Sequence, residues 1–157
     1  MSRRVPVPWR SKLIGLLQRV VGAYVDIDGK RVASIGPGLL ILVGVRPTDD
    51  PPSALRLLDR LLHYRVFADQ AGRMNLSLAQ TQGGLLLVPQ FTLAAETHKG
   101  LRPGFSTAAA PEHGRQLFDT LLLAARARHP QVESGVFGAH MQVSLTNDGP
   151  ATFWLES

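Results

Sequence analysis

From Leu13 onward a dense apolar run passes into Tyr24-Val25-Asp26-Ile27-Asp28, where apolar and polar positions alternate. A period of two predicts a β-strand with one buried face. Asp28-Gly29 supplies a hairpin turn, and Lys30–Ile35 is the returning strand. Gly36-Pro37-Gly38 breaks the pattern before Leu39–Val45, which is apolar on both faces, as a strand covered on two sides would be. Pro51 and Pro52 suit the first turn of a helix, and Leu55, Leu58 and Leu62 carry helical spacing through Tyr64. Asp69–Gly72 is a turn, and Gly83-Gly84 launches an apolar strand over Leu85–Phe91. Residues 94–110 read as loop, least regular at Lys99–Gly104. A second helix runs from Pro111 to Arg128 on a stripe of Leu117, Phe118, Leu121, Leu122 and Ala125, and Pro130 follows its end. Met141, Val143 and Leu145 alternate with polar residues, Asn147–Pro150 reads as a hairpin turn, and Ala151–Glu156 is the last strand.

Six or seven strands and two main helices result. Their order is not the strict alternation of a doubly wound sheet. The fold class is therefore α/β of α+β-like character: one domain, with helices packed on a mixed or antiparallel sheet.

Composition narrows the chemistry. The chain has 157 residues, 18% of them charged, which excludes a highly charged disordered polymer. It has no cysteine, which excludes a disulfide scaffold and thiolate catalysis and fits a reducing, cytoplasmic setting. No apolar run approaches the length of a membrane-crossing helix. The formal charge is +5, but Arg3, Arg4, Arg10 and Lys12 supply +4 of it, and residues 13–157 carry only +1. Residues 1–12 hold two prolines and no periodicity, so they read as a basic arm ahead of a domain spanning 13–157.

The five histidines are scattered without metal-ligand spacing, and no phosphate-binding glycine loop is present, so no metal and no cofactor are expected. Two segments are over-specified for a plain core. In Val88-Pro89-Gln90-Phe91-Thr92-Leu93, proline cannot donate to a ladder, which places Pro89 on an edge or bulge. Gln90 and Thr92 then share a face, either as polar residues turned to water or as part of a platform of backbone N–H groups. Asn147-Asp148-Gly149-Pro150 is either an ordinary hairpin turn or a rigid Gly-Pro unit holding a cis peptide.

The chain resembles the D-aminoacyl-tRNA deacylases from about Leu13 to its C-terminus. The resemblance rests on Gln18-Arg19-Val20, Tyr64–Phe67, Arg73–Leu76, Gln90–Ala95, Lys99–Phe105, Gly135–Ala139 and the stretch from Met141 ending in Asn147–Thr152. It implies a homodimer, with its active site at the interface, that hydrolyses the ester between a D-amino acid, or glycine, and the terminal adenosine of tRNA. The catalytic wall falls on Gln90, Phe91 and Thr92. Their contribution is the amides of Phe91 and Thr92 assisted by the Gln90 side chain, with the Thr92 hydroxyl as the lesser candidate. Gly149 and Pro150, in cis, enter from the partner subunit, and their carbonyl oxygens exclude an L-side chain. Arg19 either braces that loop or is an ordinary surface arginine. Phe137 and Met141 line the adenine pocket or belong to the core.

Two departures stand out. Pro89 replaces the usual serine and raises the alternative of relaxed chirality, and His140 stands where an acid is common. Leu13 falls where family members usually begin, so residues 1–12 are a lineage extension or the product of a misassigned start. The rival reading is a non-catalytic RNA-binding module, with the arm, Lys99 and Arg102 on phosphates.

Overall fold

The computed structural model describes residues 12–157, so all of the predicted basic arm except Lys12 lies outside the described residues. The first strand, β1, runs Ile14–Ile27, and its length organises the sheet. The Asp28-Gly29 turn brings β2 (Lys30–Ile35) back along its second half, and β3 (Gly38–Gly44) continues along its first half. The opposite edge of β1 is taken by β8 (Gln142–Glu156), antiparallel over nearly the same length. Beyond β3 lie β6 (Gly84–Pro89) and β7 (Val132–Ser134), both paired parallel. The sheet is mixed, as predicted.

Parallel neighbours require crossovers, and the two long helices lie in them. Helix α1 (Pro51–His63) starts at Asp50, whose carboxylate accepts from the Ser53 N–H at 3.0 Å, and the two prolines occupy its first turn. Its buried stripe is Ala54, Leu57, Leu58, Leu61 and Leu62. Leu55 points outward instead, because the 54/57/58/61 face is the continuous one. Helix α3 (Pro111–Arg128) buries Leu117, Phe118, Leu121 and Ala125. The next residue, His129, ends the helix inside the protein, with its Nε2 2.6 Å from the Gly83 carbonyl.

Leu39, Ile41 and Val43 meet these helices, while Leu40 joins Val20, Val25, Ile35, Leu86 and Val88 on the other face of the sheet. Both faces of β3 are thus covered. Each fully buried leucine contributes roughly 1.5–3 kcal/mol of transfer free energy. At the start of β3 and β6 the backbones touch: a Cβ on Gly38 would stand 1.9 Å from the Gly84 oxygen.

Several sequence expectations change. The helix inventory gains a four-residue α2 (Leu78–Thr81), closed by a Ser77/Gln80 capping box. The Asp69–Gly72 turn joins two short strands, β4 (Phe67–Ala68) and β5 (Met74–Leu76), that alternation was too brief to reveal. The Leu85–Phe91 strand stops at Pro89, and Phe91–Ala94 is a 3₁₀ turn. Pro89 is not on an edge strand, since β6 lies between β3 and β7; it tolerates its missing N–H as the strand's last residue, beyond the reach of β7.

The largest change is at Asn147–Pro150. No hairpin forms, because the segments before and after it both pair with β1 in the same direction. Gln18 faces Thr152 and Val20 faces Asn147, so Arg19 alone opposes Asp148-Gly149-Pro150-Ala151, a four-residue bulge. One residue on, Val21 is extra on β1 and gives back part of the offset.

Candidate active site

The end of β6 builds the first wall. The Gln90 N–H donates to the Val43 carbonyl at 2.8 Å, completing the ladder, and the chain then tightens into the 3₁₀ turn. In a 3₁₀ turn each N–H bonds three residues back, so the first amides have no internal partner. The first closing bond here is Leu93 N–H to Gln90 C=O, at 3.2 Å. The amides of Phe91 and Thr92 therefore have no hydrogen-bond partner among the described residues. The Gln90 amide donates to the Thr92 hydroxyl, so the shared face expected for this pair exists, though on a turn rather than a strand.

Beside this turn lies a cavity of about 420 Å³. Pro89, Gln90, Phe91, Phe137 and Met141 all line it, whereas Thr92 does not. Its surroundings are mainly apolar, with Val43 of strand β3, Val45 just past that strand and Phe118 of helix α3 reaching it. Phe137 also packs on the main core and carries the Arg115 guanidinium 5.0 Å from its ring centre. The Met141 sulfur receives the Val136 N–H at 3.4 Å, which holds the segment between them over the cavity. His140 lines it too.

The remaining predicted residues sit elsewhere. Arg19 donates from Nε to the Asp148 carbonyl at 3.0 Å and from Nη1 to the Val66 carbonyl at 2.6 Å, so it ties the bulge to the chain leading into β4. From the other side, Asn147 Oδ1 accepts the Ala151 N–H at 2.9 Å, and its Nδ2 donates to Thr152 Oγ1 at 2.7 Å. Between these anchors Gly149 and Pro150 are exposed, joined by a cis peptide, with Gly149 at φ +128°. Neither they nor Arg19 line the cavity. The bulge on β8 is three strand positions from β6 and about five residues short of Gln90 along the register, a separation on the order of 20 Å. Within one protomer the predicted residues thus form two separate groups.

The family model for D-Tyr-tRNA(Tyr) deacylase matches residues 16–156, which spans both groups. The chain belongs to this family. Its relatives include a D-aminoacyl-tRNA deacylase of Azotobacter vinelandii, 64% identical over 142 residues that cover 90% of this chain and 98% of that one. Another, from Nitrosococcus oceani, is 59% identical over 144 residues, 92% of this chain and 93% of the relative. A solved structure described as a c-Myc DNA unwinding element binding protein superposes with a TM-score of 0.88 at 33% identity, covering 92% of this chain and 98% of that one. A probable eukaryotic D-amino acid tRNA deacylase shares the fold, with a TM-score of 0.82 at 16% identity over 93% of this chain and 100% of that one. Among the described residues no helix is long and apolar enough to cross a membrane.

Three residues of this family member escaped sequence reading. Phe105 places its ring 5.3 Å from that of Phe91, and its only signal was its place at the end of the Lys99–Phe105 motif. Asn147 is the clamp of the bulge, hidden in what looked like turn chemistry. Asp49, in the loop between β3 and α1, is 2% exposed; its Oδ2 accepts the Arg46 N–H at 2.6 Å, while its Oδ1 is buried without a partner. Its backbone carbonyl is 2.7 Å from His113 Nε2, at the start of α3.

Burial pushes the Asp49 carboxyl up from 3.8 to about 6, against the opposing pull of the Arg46 N–H bond and charge. An acid held above its unfolded value is a stabilising term at low pH that disappears as pH rises from about 4 through 6. Asp49→Asn keeps an oxygen for the Arg46 N–H and removes the charge. The variant should gain about 2 kcal/mol over the parent at pH 7.5, and that gain should shrink to about a third near pH 4.5. Urea midpoints at the two pH values measure this, and an equal gain at both would contradict it.

Proposed function

We propose that this chain hydrolyses D-aminoacyl-tRNA, releasing the D-amino acid and free tRNA, and that it does so as a homodimer with two composite sites. Family membership and relatives named D-aminoacyl-tRNA deacylase make it a hydrolase of the aminoacyl-tRNA ester bond. The observation that carries the finer reading is the pair of unpaired amides, Phe91 and Thr92, beside an apolar cavity. Two N–H groups aimed at one point stabilise the oxyanion that forms when water attacks an ester carbonyl. The ester is already activated, so the step needs no strong side-chain base. The substrate's own 2′-OH relays the proton lost by the attacking water to the departing ribose oxygen, and the bond between the acyl carbon and that oxygen breaks as the oxyanion collapses. Gln90 positions Thr92 and assists the amides, and Phe137 and Met141 hold the adenine.

The separation of the two residue groups supports the dimer. A site using both Gln90–Thr92 and Gly149-Pro150 requires the bulge of a second copy. There the carbonyl oxygens of Gly149 and Pro150 occupy the direction an L-side chain would take, while glycine, without a side chain, passes. Glycine misattached to tRNA(Ala) is thus a second substrate. Arg19 holds the bulge at its working position.

Purified protein should sediment as a dimer and hydrolyse D-tyrosyl-tRNA, with L-tyrosyl-tRNA slower by at least about a hundredfold, the cost of roughly an ångström of misplacement. No turnover of either ester would leave an RNA-binding module. Equal rates would show that Pro89 accompanies relaxed chirality.

A further inference from the structure

The loop from Glu96 to Gly104 has no part in the proposed chemistry, and only the rival RNA-binding reading used its Lys99 and Arg102. It follows the 3₁₀ turn directly and is closed at its base by Glu96 and Gly104, which exchange backbone bonds of 2.7 and 2.9 Å. Thr107 Oγ1 donates to the Ala94 carbonyl at 2.6 Å, so the returning chain is fastened to the turn that carries the two unpaired amides. Phe105, just past the bridge, is 47% exposed and continues the aromatic surface of Phe91, which is 58% exposed. The loop itself presents Lys99 and Arg102, both exposed and neither in an ion pair with another described residue. Thr97, Gly100, Leu101, Arg102 and Pro103 enclose a depression of about 250 Å³.

Residues 13–157 carry a net charge of only +1, so two exposed cations three residues apart, on a loop joined to the cavity lining through the Phe105–Phe91 contact, are a local feature rather than a sample of a basic surface. A nucleotide whose terminal adenosine fills the cavity continues outward from it, and Phe91, exposed in the cavity lining, leads that way to Phe105 and the loop. Proteins hold single-stranded RNA with cations along the phosphates and aromatic rings against the bases. Both are here, side by side and outside the chemistry.

We infer that the 96–105 loop binds the two unpaired nucleotides preceding the terminal adenosine, with Lys99 and Arg102 on their phosphates and Phe105 against a base. The inference rests on the cavity holding that adenosine. Two single-strand phosphate contacts give a logarithmic salt slope of about −1.4, or about tenfold in affinity at 0.15 M salt.

The test compares three D-tyrosyl esters: of adenosine alone, of the trinucleotide CCA, and of full tRNA. In Lys99→Ala/Arg102→Ala the kcat/KM for the trinucleotide ester relative to the adenosine ester should fall about tenfold, through KM, and the salt slope should flatten by about 1.4. The tRNA ester should fall equally. Phe105→Ala should lower the same ratio at least about fivefold, and Phe105→Tyr should restore it. Removing two other exposed charges, in Lys30→Ala/Arg126→Ala, should leave the ratio unchanged. An unchanged ratio in the loop variant, a loss confined to full tRNA, or an equal loss in the Lys30/Arg126 variant would each overturn the inference. Titration with unacylated CCA reads the contact without chemistry. Weaker binding by the loop variant supports the loop even if no ester is hydrolysed, whereas equal binding rejects the loop even if the hydrolase reading stands.

Discussion

Replacing Gly149 with alanine should lower kcat/KM on D-tyrosyl-tRNA by at least about a hundredfold, the cost of displacing a wall of the site by roughly an ångström. Two independent facts lead there. Gly149 sits at φ +128°, a conformation that L-residues rarely adopt. A Cβ at that position would also stand 2.6 Å from Arg19 Nη2, so the guanidinium would have to leave its place against Asp148 and Val66. Both effects move the carbonyl oxygens of residues 149 and 150, the proposed selectivity wall. Because the bulge is exposed and the ladder resumes at Ala23 and at Thr152, the body of the sheet is spared, and thermal melting should drop by only a few degrees. Rejection of L-tyrosyl-tRNA should weaken together with the D-rate. Rates and selectivity both equal to those of the parent would remove Gly149-Pro150 from the site.

That residue also marks the limit of what the sequence reveals. Period-two alternation in Met141–Leu145 and the apolar run in Leu39–Val45 report local burial, and both lie on strands except for Met141 and Val45 at their ends. Whether Asn147–Pro150 reverses the chain or bulges from it is decided by the partner strand, and β1 lies more than a hundred residues earlier. A turn motif between two alternating segments is the same string in either case. Pro89 poses a similar problem. Its missing N–H excludes a mid-strand ladder position, yet an edge strand and a strand end satisfy that constraint equally; only the pairing of β7 with residues 85–87 separates them.

The site was legible in proportion to how much of its chemistry resides in side chains. Gln90, Phe137 and Met141 fall where their types suggest, around one cavity. The amides of Phe91 and Thr92 have no letter in the sequence. They become available because the backbone tightens by one 3₁₀ turn immediately after Gln90, a change hydrophobic periodicity does not register. The missing cysteine and the scattered histidines carry the same message from the opposite side: among the residues lining the cavity His140 is the one ordinary acid–base group.

The amide reading predicts a specific difference between two variants at one position. Phe91→Ala removes the ring and leaves the N–H; Phe91→Pro removes both. Proline fits this place in the backbone. Position 91 opens the 3₁₀ turn, where φ near −65° is already required and the N–H has no partner to lose. Gln90 before it, at φ −141° and ψ 79°, already lies outside the helical region that a following proline disfavours. Phe91→Ala should therefore cost severalfold, mainly in KM, by removing surface at the cavity mouth and the contact with Phe105. Phe91→Pro should cost a further hundredfold or more, about 2.7–4 kcal/mol in kcat, the loss that follows removal of one oxyanion donor. Both variants should bind unacylated CCA alike, since the lost N–H acts on charge that develops only as water adds to the carbonyl. If Phe91→Pro is no slower than Phe91→Ala, the oxyanion is not held by this amide, and the Thr92 hydroxyl that Gln90 engages becomes the group to which the chemistry must be assigned.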